Sequence, residues 1–175
     1  EMPNRVMEGL YFDFFYAKLL EESQLTREDL QLPRRVAALA LQDDMQPVVE
    51  ALTEVLGRLS NRDARGWTEH HVKAVLMALL VPTGVYGVFS EWPVGQGYVD
   101  IALLRRPPIL EPKHEHLIEL KYVKKEDAKR LEVVKEEGRQ QLRQRLAHPD
   151  VVRRGGVLGW LITVVGYEAQ AEQVQ

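Results

Sequence analysis

The sequence predicts an α/β domain: a small mixed sheet in the order αβββαβ, flanked by helices and preceded by a helical lead-in. Three observations carry that prediction. Tyr98–Leu104 and His116–Val123 are apolar runs of strand length, joined by a loop from Arg105 to Glu115 that holds three prolines. Val157–Val165 is almost wholly apolar, as a central strand buried on both faces requires. Elsewhere the apolar residues recur at helical spacing.

Taken in order, residues 4–22 predict a helix with Val6, Leu10, Phe14, Ala17 and Leu20 on its inner stripe, widened by Tyr11, Phe12, Phe15 and Tyr16. Thr26 caps a short helix with acids in its first turn, Glu28 and Asp29. A longer helix follows Asp43-Asp44, with Pro47 in its first turn and Val48, Leu52, Val55, Leu56 and Leu59 inward. Asn61–Trp67 is a polar break, which divides the chain into a helical extension (1–62) and a core (63–175). Thr68 caps the next helix, Glu69–Leu80, whose Val72, Val75, Leu76 and Leu79 face inward.

Tyr86–Trp92 is the first strand, and Pro93–Gly97 turns it back as a hairpin. The two long runs above are the second and third strands. A helix is expected from about Lys125 to Ala147, with Leu131, Val134, Gly138, Leu142 and Leu146 inward. Gly155-Gly156 then breaks the chain before the last strand.

Composition narrows the function. The chain has 175 residues, no cysteine and a net charge of −3, so thiolate metal sites and disulfides are excluded and bulk electrostatics alone would not hold nucleic acid. No apolar run reaches the ~18 residues of a membrane span, and the cytoplasm is the expected location. Charge is nonetheless uneven. From Lys121 to Arg154 eleven Lys/Arg face six acids, a local excess of five. Lys124, Lys125, Arg139 and Arg143 are thereby candidates for contacting a phosphate backbone.

The chemistry concentrates in two strands. Asp100 is an acid within the second, and Glu119 and Lys121 lie two apart in the third, on one face. If the proline-rich loop returns the third strand antiparallel to the second, opposed residues have Cβ atoms roughly 4.5–5.5 Å apart. Asp100 and Glu119 then share one hard cation, with Lys121 beside it. The histidines, His70-His71 and His114 with His116, lack the spacing of a helical zinc site and read as exposed or peripheral. No Walker loop or nucleophile elbow is present.

Asp100 followed by Glu119-Leu120-Lys121 resembles the D…ExK signature of the PD-(D/E)xK nuclease superfamily. The chain is most similar to the nuclease domain found C-terminal to AAA-type ATPase modules in prokaryotic proteins. That likeness includes Pro3-Asn4, Glu69-His70-His71, Ser90-Glu91 and Gly95-Gln96-Gly97-Tyr98-Val99-Asp100. It implies a restriction-endonuclease-like fold and Mg²⁺-dependent hydrolysis of a phosphodiester, with Mn²⁺ as a substitute and DNA as the expected substrate. Asp100, Glu119, the Leu120 carbonyl and Glu69 would hold the metal, Lys121 would act on the reacting phosphate, and Gln141 (Gln140 being its rival) would position water or phosphate. An ATPase module is implied as a partner in a longer chain. The alternative is a nuclease-like fold that no longer cuts and serves as a protein-docking or nucleic-acid-binding module.

Overall fold

The computed structural model describes residues 5–63, 67–106 and 111–175, with side chains at 5–8 and 60–63 left out; Pro3-Asn4 and part of the proline-rich loop lie outside the described residues. The helices are α1 (Arg5–Ser23), α2 (Arg27–Leu30), α3 (Leu32–Gln42), α4 (Gln46–Asp63) and α5 (Glu69–Leu80), then α6 (Leu131–Leu146) and α7 (Pro149–Val152). The strands are β1 (Tyr86–Val94), β2 (Gly97–Arg105), β3 (Glu115–Val123), β4 (Val157–Val165) and β5 (Glu168–Val174). They form one mixed sheet in sequence order, antiparallel except for the parallel β3–β4 pair. This is the α/β architecture, with helices on both sides of the sheet, that the resemblance implies.

Two cores, one per face, hold the layers together. Ile101, Leu103, Ile118, Leu120, Ile162 and Val164 pack with the buried residues of α1 and α3–α5. Ala102, Leu117, Leu161 and Val174, on the opposite face, pack with Leu142 of α6 and Val151 of α7. The N-terminal helices therefore share a continuous core with the sheet. No described helix is long and apolar enough to cross a membrane.

Several details depart from the sequence-based reading, among them the separate helices α3 and α7, which it did not include. On α1 the buried stripe is Phe12, Tyr16, Leu19 and Ser23, while Leu10 and Phe14 are exposed. Apolar side chains surround most of that helix, so periodicity does not single out a face, and packing on α4 and α5 decides it. Helix α4 continues to Asp63, into the expected break, whose residues 64–66 lie outside the described ones. The helix expected from Lys125 begins as a 3₁₀ stretch, Lys125–Arg130, before α6. Finally, β5 was absent from the predicted order. Its EAQAEQV sequence has low strand propensity, yet it pairs with β4 from Val165↔Glu168 to Gly159↔Val174 and turns Ala169, Ala171 and Val174 inward.

Candidate active site

The third strand outruns the second. The β2–β3 ladder ends at Ile101↔Ile118, whereas β3 remains paired with β4 as far as Val123↔Val165. Past Ile118 the edge of β3 that faced β2 is no longer paired with it, and we call the gap between the two strands there the cleft. Its N–H groups there belong to alternate residues. Leu120 N–H donates to Asp100 Oδ2 at 2.8 Å and Tyr122 N–H to Glu69 Oε2 at 3.4 Å. Two carboxylates thus take the place of the missing strand. A strand residue sends its N–H and C=O to the same side, so the Leu120 carbonyl opens into the same cleft.

Asp100 reaches this position because the β1–β2 ribbon is distorted beside it. Pairing runs through Ser90↔Ile101 and Trp92↔Val99 but skips Glu91 and Asp100 between them. Glu91 has φ of 52°, a left-handed backbone that costs about 1–3 kcal/mol for a residue with a side chain. Strict alternation would bury Val99 with Ile101 and Leu103. Instead Val99 joins the α6-side core and the other two join the helical side. Lys73 of α5 ties the distorted pair together, its Nζ 3.2 Å from Glu91 Oε1 and 3.9 Å from Asp100 Oδ1.

Glu119 and Lys121 have the parity of Leu117 and Leu161, on the α6 side. Lys121 Nζ donates to Glu119 Oε1 at 2.8 Å, and both side chains are largely buried. Gly138 lets α6 approach this closely. A Cβ there would stand 2.6 Å from Leu161 Cδ1 and 3.3 Å from Lys121 Cγ.

The electrostatics follow from this crowding. Burial pushes the Glu119 carboxyl up; the bond from Lys121 opposes it, while Asp100 and Glu69 add to it, and the net shift is upward. Burial pulls the Lys121 ammonium down, but its bond to Glu119 and the charges of Glu119, Glu69 and Asp100 outweigh that, so it stays protonated. Around the cleft, Glu69, Glu91, Asp100 and Glu119 face Lys73 and Lys121. Four formal negative charges against two positive leave two, the charge that one divalent ion cancels.

Carboxylates and a backbone carbonyl are hard oxygen donors that suit Mg²⁺, which takes one or two carboxylates and keeps several waters. Among the described residues no group of three or more His, Asp or Glu is placed to hold an ion.

The remaining candidates lie around this cleft or on α6. Gln141 is exposed on α6, nearly one turn past Gly138. Lys124 is exposed where β3 ends, and Lys125 Nζ sits 4.0 Å above the Tyr167 ring. Arg139 is engaged by Glu172 through two bonds of 2.5 and 3.0 Å and by Glu136 at 3.2 Å. Arg143 donates to Glu136 at 3.5 Å and to the Gln175 carbonyl at 3.4 Å.

Lys73 was not singled out from sequence. Its position one turn after Glu69 was the available signal, since both then share a helix face. His116 also differs from expectation. It is fully buried, accepting at Nδ1 from Trp160 Nε1 (3.1 Å) and meeting Tyr86 Oη at Nε2 (3.0 Å).

No curated protein and no solved structure matches the chain. A family model described as PD-(D/E)XK nuclease superfamily matches residues 67–174, the stretch from the start of α5 through β5 that builds the whole cleft. By that match the chain belongs to the PD-(D/E)XK nuclease superfamily.

Proposed function

We propose that this protein is a Mg²⁺-dependent nuclease that hydrolyses phosphodiester bonds in DNA, Mn²⁺ substituting for Mg²⁺. The observation that carries the reading is the end of the β2–β3 ladder, where Asp100 accepts from the Leu120 N–H and Glu119 holds the largely buried Lys121 at 2.8 Å. Asp100, Glu119 and the Leu120 carbonyl would hold the ion, with Glu69 at its margin. A bound Mg²⁺ supplies Lewis-acid stabilisation of the charge that develops on the scissile phosphate.

The chain's own residues do the rest. Lys121, held by Glu119, directs its ammonium toward the phosphate oxygens and stabilises negative charge in a partly dry site. Because its neighbours keep it protonated, it orients and stabilises; it does not take the proton of the attacking water. Gln141, exposed on the covering helix, positions water or a phosphate oxygen. Lys124, Lys125 and Arg143 meet the backbone of the nucleic acid. Arg139 contributes there only as far as Glu172 and Glu136 release it.

Likeness to nuclease domains that follow AAA-type ATPase modules supports an ATPase as partner in a longer protein. A second reading is a protein-docking or nucleic-acid-binding module that does not cut; the exposed Leu10, Tyr11 and Phe14 of α1 favour its docking form. Incubation of the protein with single- and double-stranded DNA and RNA, in Mg²⁺ and in EDTA, separates the two. Metal-dependent cleavage supports the nuclease, and binding without cleavage supports the module.

A further inference from the structure

The nuclease reading leaves unexplained a pocket of about 390 Å³ that adjoins the cleft, between the start of α5 and the 3₁₀ stretch after β3. Trp67 and Tyr122 give it aromatic walls, Lys124 and Arg130 bring cations to its lining, and Glu69 and Asp127 supply acceptors. Among the described residues the side chain of neither Lys124 nor Arg130 has an ion-pair or hydrogen-bond partner, unlike those of Arg139 and Arg143 farther along α6. Trp67 and Tyr122 are partly buried against the core, which fixes their rings without covering them. Two residues belong to both sites: Glu69 lines the pocket and accepts from Tyr122 N–H at the cleft edge.

Resting on the nuclease reading, we infer that this pocket receives an unpaired base of the nucleic-acid substrate, next to the phosphate bound in the cleft. Aromatic faces bind bases by stacking regardless of sequence, and adjacent cations take the flanking phosphates. Acceptors at the wall suit the exocyclic amino groups of a base presented edge-on. A base inside a duplex is stacked and paired, and it reaches such a pocket only by leaving the helix. The substrate class is therefore single-stranded nucleic acid, or a duplex with an unpaired nucleotide at the cleavage position.

The test compares the whole chain with Trp67→Leu, which keeps apolar bulk but loses the ring, and Trp67→Phe, which keeps a smaller ring. In EDTA, anisotropy is read with a labelled single strand, with its duplex, and with a single strand carrying 2-aminopurine. Trp67→Leu is expected to weaken single-strand binding about tenfold, the order expected for one lost stacking contact, with little change for the duplex. Trp67→Phe should recover most of that loss, and 2-aminopurine emission should be quenched by wild type and not by Trp67→Leu. Equal loss on both substrates, or no loss with either, overturns the base pocket. Cleavage in Mg²⁺ by wild type is read separately. Trp67-dependent single-strand binding without cleavage overturns the nuclease reading alone, whereas cleavage without Trp67 dependence overturns the pocket alone.

Discussion

Asp100 accepts the Leu120 N–H at 2.8 Å, doing with a carboxylate what the next backbone carbonyl of β2 would otherwise do. The same atom group is thus a structural cap for an open strand edge and a proposed ligand for a metal. Losing it differs from losing Glu119, whose partner is another side chain.

Asp100→Ala is expected to destabilise the metal-free protein by about 1–3 kcal/mol, because it leaves the Leu120 N–H without its acceptor, while Lys73 keeps Glu91. Glu119→Gln should leave stability unchanged or raise it slightly. Its folded carboxyl is shifted upward, so the charged form is a cost to folding at neutral pH, and the amide removes that cost. Urea unfolding in EDTA measures both. Calorimetric titration with Mn²⁺ should show strongly weakened binding in both variants.

Lys73 stands between Glu91 and Asp100 as one of the two resident counter-charges of the cleft, beside Lys121. Lys73→Met should lower the melting temperature in EDTA. Added Mn²⁺ should then stabilise the variant more than the wild type, since a divalent ion becomes the main compensation for the remaining carboxylates. Paired melting curves with and without Mn²⁺ check this, and an equal metal-induced shift in both proteins would contradict it.

For Lys121→Ala, turnover should fall by roughly 10²–10³, the scale of losing one preorganised charge-stabilising group, while substrate binding stays within a few-fold. Arg143→Gln should do the reverse, weakening binding and lowering the salt slope by about 1. Single-turnover cleavage at saturating enzyme separates the two effects.

His116 supplies a pH dependence unrelated to catalysis. Burial is the chief cause of a pKa lowered to about 4, so the folded protein keeps this imidazole neutral between Tyr86 and Trp160. The unfolded chain binds the proton near pH 6.5. This contribution to stability is full above pH 6.5 and is lost as the pH falls toward 4, about 3 kcal/mol in all. Urea unfolding at pH 7 and pH 4.5 should show the loss, and His116→Gln should flatten that part of the profile.

What could be read from the sequence was whatever depended on local pattern. The parity that put Glu119 and Lys121 on one face, and the proline-rich return that set β2 against β3, needed only alternation and loop length. The Lys73–Glu91–Asp100 link joins residues 18 and 27 positions apart through a strained backbone at Glu91, and no local pattern encodes it. Strand β5 exists because β4 offers an edge, and its Glu, Gln and Ala residues do not declare it. His116 reads as an ordinary polar residue until Tyr86 and Trp160 are brought to it from 30 and 44 positions away.

Cleavage of labelled DNA by the wild type and Asp100→Ala, in Mg²⁺ and in EDTA, tests the central claim most directly. The account predicts cleavage by the wild type in Mg²⁺, none in EDTA, and none by Asp100→Ala in either. Cleavage by Asp100→Ala at the wild-type rate, or a wild type inert in both Mg²⁺ and Mn²⁺, would contradict it.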